Sequence, residues 1–215
     1  MPVRAVVLDI GETVLDDTRE WNAWADWIGV SRHTFSTVLG AVTAAGRDNA
    51  ETFRYFKPDF DVATERTRRE ETGHGEHIDE TDLYPDVRTS LAELKRMGLW
   101  VGLAGNQTAK AGDLLRKLDL PVDQIATSTD WGVAKPDPGF FERVVEMAGV
   151  ARNELLYVGD HRDNDIVAGH AAGLWTALIR RGPWGHLWAA DPAVLANADW
   201  VIDSLAELPG LVART

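Results

Sequence analysis

Val3-Arg4-Ala5-Val6-Val7-Leu8-Asp9-Ile10-Gly11-Glu12-Thr13 is the stretch on which the fold of this 215-residue chain turns. Val3 to Leu8 reads as a buried strand, β-formers with little alternation, as in a parallel sheet covered on both faces. Asp9 to Thr13 follows as a polar turn. A parallel sheet needs helical crossovers, so the rest of the chain is expected to supply strands and helices in turn.

Downstream of the turn, from about Thr18 to Thr81, the pattern becomes helical. Trp21, Trp24, Ala25 and Ile28 share one helical spacing, and Phe35, Val38, Leu39 and Val42 another. Gly46 and Gly73 read as helix stops, and no strand is expected between them. Strand and helix then alternate. A helix runs from Pro85 through Val87, Leu91 and Leu94 to Gly98, followed by a strand over Leu99 to Ala104 and a helix over Ala109 to Leu118. A short strand near Ile125 leads to Asp130. A helix from Asp137 or Pro138 passes through Phe141, Val144 and Val145 and ends at Gly149. Leu155 to Val158 is a strand, Asp163 to Ala172 a helix closed by Gly173, Trp175 to Ile179 a strand, and Trp200 to Ile202 a last strand before a short C-terminal helix. This order predicts an α/β fold with a doubly wound parallel sheet and right-handed crossovers. Ligands bind such sheets at the carboxyl ends of the strands. The polar residues there are Asp9, Gly105-Asn106, the Asp130 to Lys135 segment and Gly159-Asp160.

Composition narrows the function classes. Hydrophobic residues are 45% and charged residues 26% of the chain, as in ordinary globular proteins. Cysteine is absent, which excludes disulfides, thiolate zinc sites and a cysteine nucleophile, and favours oxygen-ligated metals. A formal charge of −12 disfavours nucleic acid as a partner, because phosphate backbones are held by clustered Lys and Arg. It leaves room for a small phosphorylated substrate, since one local cation can invert the field at a site. Ala5 to Leu8 is too short for a signal peptide and no later run approaches a membrane span. The cytoplasm is therefore the expected location, and the oligomeric state is left open.

The strand-end residues together resemble the haloacid dehalogenase-like (HAD) hydrolase superfamily of the helical-cap type. That family's first motif, apolar residues and then Asp-x-Asp-x-Thr, is matched by Val6 to Thr13. Its Lys-Pro-Asp-Pro segment is matched by Lys135-Pro136-Asp137-Pro138. Its Gly-Asp pair, with a second acid five residues on, is matched by Gly159-Asp160 and Asp165. Ala171-Ala172-Gly173-Leu174 and Leu83-Tyr84-Pro85-Asp86-Val87 also look like the family. The resemblance implies a Rossmann-like core over residues 1–16 and 82–215, with residues 17–81 as an inserted helical cap. It implies that Asp9 is a nucleophile forming an aspartyl-phosphate and that Lys135 supplies positive charge to the nucleophile and the phosphate. It implies Mg²⁺ held by the side chains of Asp9 and Asp160 and by the Gly11 carbonyl, with Asp165 supporting the shell, and Gly105, Asn106 and Lys135 as the phosphate site. The residues themselves agree in chemistry. Carboxylates gathered in one partly buried place repel each other, and a hard, oxygen-preferring ion relieves that repulsion.

Two positions depart from the family pattern. The second motif-one Asp, the usual general acid and base, is Gly11 here, and such help is typically worth about 10²- to 10⁴-fold. Glu12 is the candidate substitute, although side chains alternate direction along a strand-like run and Glu12 lies one residue on. The Ser or Thr expected after the second strand is Gly105, leaving its N–H, the Asn106 amide or Thr108 to donate. His74 and His77 invite a metal reading, but Gly73 and Gly75 favour a solvated loop, and Asp163 reads as a helix cap. The expected function is a Mg²⁺-dependent phosphatase of a small phosphorylated metabolite, slow or specialised because of Gly11. A catalytically impaired phospholigand-binding or interaction protein and a haloacid dehalogenase are the alternatives.

Overall fold

A computed structural model describes residues 2–215 of the chain. It divides into two compact units, one formed by Met1–Asp16 with Asp79–Thr215 and the other by Asp17–Ile78. The second unit ends three residues before the boundary expected at residue 81. Residues 79–82 turn back into the first unit, where the Asp82 carboxylate accepts the Asp79 N–H at 2.8 Å and Asp16 N–H bonds to the Asp82 carbonyl at 2.8 Å.

The first unit is built on six parallel strands: β1 (Ala5–Leu8), β2 (Trp100–Gly105), β3 (Gln124–Thr127), β4 (Leu155–Gly159), β5 (Trp175–Ile179) and β6 (Trp200–Ile202). Their order is β3-β2-β1-β4-β5-β6. The chain winds outward from β1 to β3, then crosses back to β4, so the winding reverses between β1 and β4. Crevices form at such a switch point, outside the carboxyl ends of the two strands. In register, Leu8 lies beside Leu103 of β2 and Val158 of β4, which brings the residues after β1, β2 and β4 to one edge. Every residue of β1 and β4 is buried, as the unbroken apolar runs predict.

Helices α1 (Thr18–Ile28), α2 (Arg32–Ala44), α3 (Glu51–Phe56) and α4 (Val62–Glu71) make the second unit, with no strand. Its core is aromatic: Trp24, Phe35, Phe53 and Phe60 are buried together. The buried Arg69 guanidinium lies 4.0 Å from the Trp24 ring and pairs with Glu20 at 2.7 Å, so a charge inside this core is both stacked and neutralised.

In the first unit, α5 (Val87–Arg96), α6 (Ala109–Lys117), α7 (Ser128–Trp131) and α8 (Pro138–Ala148) follow in order. Phe140, Phe141 and Val144 of α8 pack on Val7, Ala104 and Tyr157 of the sheet. The helix expected over Asp163 to Ala172 begins instead as a π-helical turn, Arg162–Val167, and becomes regular only at α9 (Ala168–Ala171). His161 causes the widening: its Nδ1 accepts the N–H groups of Asp163 and Asn164, each at 3.2 Å, and its carbonyl takes the Asp165 and Ile166 N–H groups. His161, not Asp163, is therefore the cap; the Asp163 carboxylate is turned onto Arg162 at 2.8 Å. The helices α10 (Gly182–Trp188) and α11 (Pro192–Asn197) were not expected, because their Gly and Pro residues obscure the periodicity. Pro183 and Pro192 sit in the first turns, where a missing N–H is harmless. The short C-terminal helix is α12 (Leu208–Val212). Among the described residues, no helix is long and apolar enough to cross a membrane.

Candidate active site

Asp9, Lys135, Asp160 and Asp165, separated by up to 156 positions in the sequence, meet at the switch point. Lys135 Nζ lies 2.7 Å from Asp9 Oδ1 and 2.6 Å from Asp165 Oδ1. One carboxylate oxygen from each of Asp9, Asp160 and Asp165 lies within 4.8 Å of the others. All four residues are buried, Asp165 completely. Each is placed by a local device. Asp9 continues β1, its N–H bonding to the Val158 carbonyl at 2.8 Å. Asp165 is turned back by the π-helical turn, so that its Oδ2 accepts the His161 N–H at 2.8 Å. A Cβ at Gly159 would stand 2.3 to 2.7 Å from the Asp165 side chain, so only glycine leaves that room.

The Lys135 loop is clamped by Asn106. The Asn106 Oδ1 accepts the Lys135 N–H at 2.8 Å, and its Nδ2 donates to the Lys135 carbonyl at 2.9 Å. Both polar atoms of this amide are thus engaged by the Lys135 backbone. Thr108 is the N-cap of α6, accepting the Ala111 N–H at 3.0 Å. The Lys135 ammonium also lies 5.4 Å from the Tyr157 ring and 5.8 Å from the Phe140 ring, and the Tyr157 hydroxyl donates to the Ala104 carbonyl at 2.7 Å. Those rings shield one side of the ammonium from water and turn their negative faces toward it.

Burial dominates the electrostatics. It pushes the Asp9 carboxyl from 3.8 up to about 6, with Lys135 pulling down and Asp165 pushing up. Asp160 is driven well above its ordinary value, first by burial and then by Asp165, Asp9 and Glu12. Burial works against the charge of Lys135, but the two carboxylates override it and hold the ammonium well above its usual value. One lysine thus faces three carboxylates, and the Asp160 Oδ2 is buried without a hydrogen-bond partner. A buried, unpaired carboxylate oxygen is costly unless a cation meets it. This donor set, all oxygen and short of two positive charges, fits a hard divalent ion.

Gly105 proves to be a matter of space. A Cβ there would lie 2.5 Å from Asp9 Oδ1 and 3.2 Å from the Ile10 Cβ. The absent side chain leaves room for the Asp9 carboxylate in the position that pairs with Lys135. Glu12 also departs from expectation. The alternation that would turn it away assumes extended backbone, but its φ is +50°, in the left-handed region. Glu12 is consequently buried, accepts the Tyr84 hydroxyl at 2.7 Å and is close enough to Asp160 to raise it. His74 and His77 belong to no group of metal-ligating side chains among the described residues.

A family model of haloacid dehalogenase-like hydrolases matches residues 3–173. The chain belongs to that family. Among its HAD relatives is the glyceraldehyde 3-phosphate phosphatase of Methanocaldococcus jannaschii, 32% identical over 132 residues, covering 60% of this chain and 56% of that protein. The pyrophosphatase PpaX of Bacillus cereus is 33% identical over 140 residues, covering 63% of this chain and 62% of that protein. The chain thus aligns with less than two thirds of these relatives' length. A HAD-like hydrolase structure from Bacteroides fragilis superposes with a TM-score of 0.69 at 20% identity, covering 96% of this chain and 99% of that one. The α/β core with its parallel sheet is the HAD fold. Tyr84, Arg181 and His161 were missed as neighbours of this HAD site. The strand-end rule would have reached Arg181, which follows β5, had it been applied to every strand.

Proposed function

We propose that this chain is a magnesium-dependent phosphatase acting on a small phosphorylated metabolite through an aspartyl-phosphate on Asp9. The observation that carries the reading is the Asp9 carboxylate, fixed by Lys135 at the strand end, beside a buried Asp160 oxygen that has no protein partner. In this reading Asp9, Asp160 and the Gly11 carbonyl would hold Mg²⁺, with Asp165 supporting the set. The ion supplies charge neutralisation for the transferring phosphoryl group. Asp9 attacks phosphorus, the ester oxygen leaves with the electron pair of the P–O bond, and water then attacks the phosphorus of the aspartyl-phosphate to release phosphate and regenerate Asp9. Lys135 holds the attacking carboxylate and offers a proton-rich charge to the phosphoryl oxygens. Gly105 contributes its N–H at the phosphate position. Residues 17–81 serve as the cap, and the protein works in the cytoplasm.

Gly11 brings no carboxyl to protonate the leaving group. Substrates whose leaving group is stable as an anion, such as acyl phosphates, lose least by this, because general acid help counts most for poor leaving groups. Acetyl phosphate is therefore expected to show a larger acceleration over its uncatalysed rate than a simple alkyl phosphate does. Equal accelerations for the two would defeat that specialisation. Gly11 and Gly105 also motivate a second reading, a phospholigand binder with little turnover. A panel of phosphometabolites including glyceraldehyde 3-phosphate and pyrophosphate, assayed with and without Mg²⁺ and with Asp9→Asn as blank, separates the two. Magnesium-dependent phosphate release above the blank supports the phosphatase, and ligand binding without release supports the binder.

A further inference from the structure

Arg181 is a buried cation at the carboxyl end of β5 that takes no part in the chemistry above, yet it grips the loop that performs it. Its Nη1 donates to the Thr13 carbonyl at 2.6 Å, inside the turn that follows Asp9. Its Nη2 reaches both oxygens of Asp86, each at 2.5 Å. Asp86 is held in turn by the Ser204 hydroxyl at 2.6 Å and the Leu205 N–H at 2.9 Å. The guanidinium lies 4.2 Å from the centre of the Tyr84 ring, and the hydroxyl of that ring donates to Glu12 at 2.7 Å. Burial and the Glu12 charge both raise the Tyr84 hydroxyl above its ordinary value, so it remains a donor.

The residue after Arg181 completes the grip. Gly182 has φ +56°, and a Cβ on it would come within 2.5 to 2.7 Å of the Glu12 side chain. Glu12 itself holds a left-handed backbone that a non-glycine residue adopts only when its surroundings over-determine it. The surroundings are identifiable: Gly182 leaves the space, Tyr84 fixes the carboxylate and Arg181 fixes the next carbonyl.

A buried ion pair is weak evidence of a role in stability, since apolar residues of the same volume often serve as well. The planar fork of arginine, however, can meet a carbonyl, a carboxylate and an aromatic face at once, and lysine cannot. We propose that Arg181 is a positioning residue of the active site. With Tyr84 it fixes the Gly11-Glu12-Thr13 turn, and thereby the Gly11 carbonyl and the Glu12 carboxylate, relative to Asp160. The proposal rests on the reading of Asp9, Gly11 and Asp160 as magnesium ligands.

The test is a calorimetric titration of the full chain with Mg²⁺ alone, on wild type, Arg181→Lys, Arg181→Ala and Tyr84→Phe, each first checked for its folded circular dichroism. Loss of a group that orients metal ligands typically weakens metal affinity about 10- to 100-fold. Arg181→Lys is expected to weaken Mg²⁺ binding in that range and to lower kcat for acetyl phosphate more than it changes KM. Tyr84→Phe, which loses one hydroxyl and leaves the Arg181 pair intact, is expected to move Mg²⁺ affinity in the same direction by a smaller factor. Millimolar guanidinium is expected to restore affinity to Arg181→Ala but not to Tyr84→Phe, a rescue that general destabilisation would not produce. Folded Arg181→Lys and Tyr84→Phe that bind Mg²⁺ as wild type does would overturn the proposal while leaving the proposed function standing. A wild type that binds no Mg²⁺ would overturn the metal reading and this proposal with it. Should the Arg181 variants fail to fold, Tyr84→Phe alone decides.

Discussion

Asp9→Asn is expected to stabilise the metal-free protein while abolishing its turnover. The folded chain holds the Asp9 carboxyl at about 6, against 3.8 for the free side chain, chiefly because burial penalises the charge. Each pH unit between the two values is worth about 1.36 kcal/mol, so ionised Asp9 lowers the stability of the metal-free fold by about 3 kcal/mol. The sign follows from proton binding. The folded state holds this proton more tightly than the unfolded state, so the associated stability is fully present below pH 3.8 and is lost as pH rises through about 6. Asparagine has the same shape, keeps an oxygen for Lys135 and never ionises. Urea denaturation followed by tryptophan fluorescence, in a chelator, is therefore expected to show the variant more stable by about 3 kcal/mol near pH 7.5. In a chain of this size that corresponds to about 6–12 °C in melting temperature. The gap should close toward zero near pH 4, where wild-type Asp9 folds protonated. Added Mg²⁺ should also narrow it by stabilising wild type selectively. A variant equal to or less stable than wild type near pH 7.5 would refute the reasoning. A gap undiminished near pH 4 would assign the effect to packing and not to ionisation.

Two other perturbations follow from the same cluster. Lys135→Met leaves Asp9 and the fully buried Asp165 without their shared cation, which is expected to cost about 3–5 kcal/mol near pH 7.5. Part of that loss should return as pH falls and Asp9 folds protonated, as read by the same denaturation series. Gly105→Ala drives a Cβ against the Asp9 oxygen, 2.5 Å away, and displaces the Asp9 carboxylate from Lys135. A misplacement of this kind is expected to lower kcat on the order of 10²-fold, measurable with acetyl phosphate, and Gly105→Ser should do no better despite its hydroxyl.

Asp9 and Asp160 were legible as strand-end carboxylates because each follows an apolar strand. Asp9 and Asp160 mark where buried runs stop, and parallel pairing of β1 with β4 brings the two together without further information. What was hidden depends on backbone angles and distant partners. The direction of Glu12 was misjudged because alternation presumes extended backbone, and one residue at φ +50° reverses it. Gly105 read as a missing hydroxyl, whereas the space it leaves for Asp9 exists only once β1 and β2 lie side by side. Arg181 meets Thr13 across 168 positions, a pairing no local pattern can encode. The widening of the helix after Asp160 likewise arises from the His161 side chain bonding to backbone, which hydrophobic periodicity does not register.

The central claim is that Asp9 becomes covalently phosphorylated. Rapid acid quench of the Mg²⁺-loaded protein during turnover of acetyl phosphate, followed by peptide mass spectrometry, tests it most directly. The account predicts a phosphoryl group on Asp9, present within the first turnover and absent from Asp9→Asn. Phosphate release at the wild-type rate by Asp9→Asn, or turnover with the Asp9 peptide unmodified at every quench time, would contradict it.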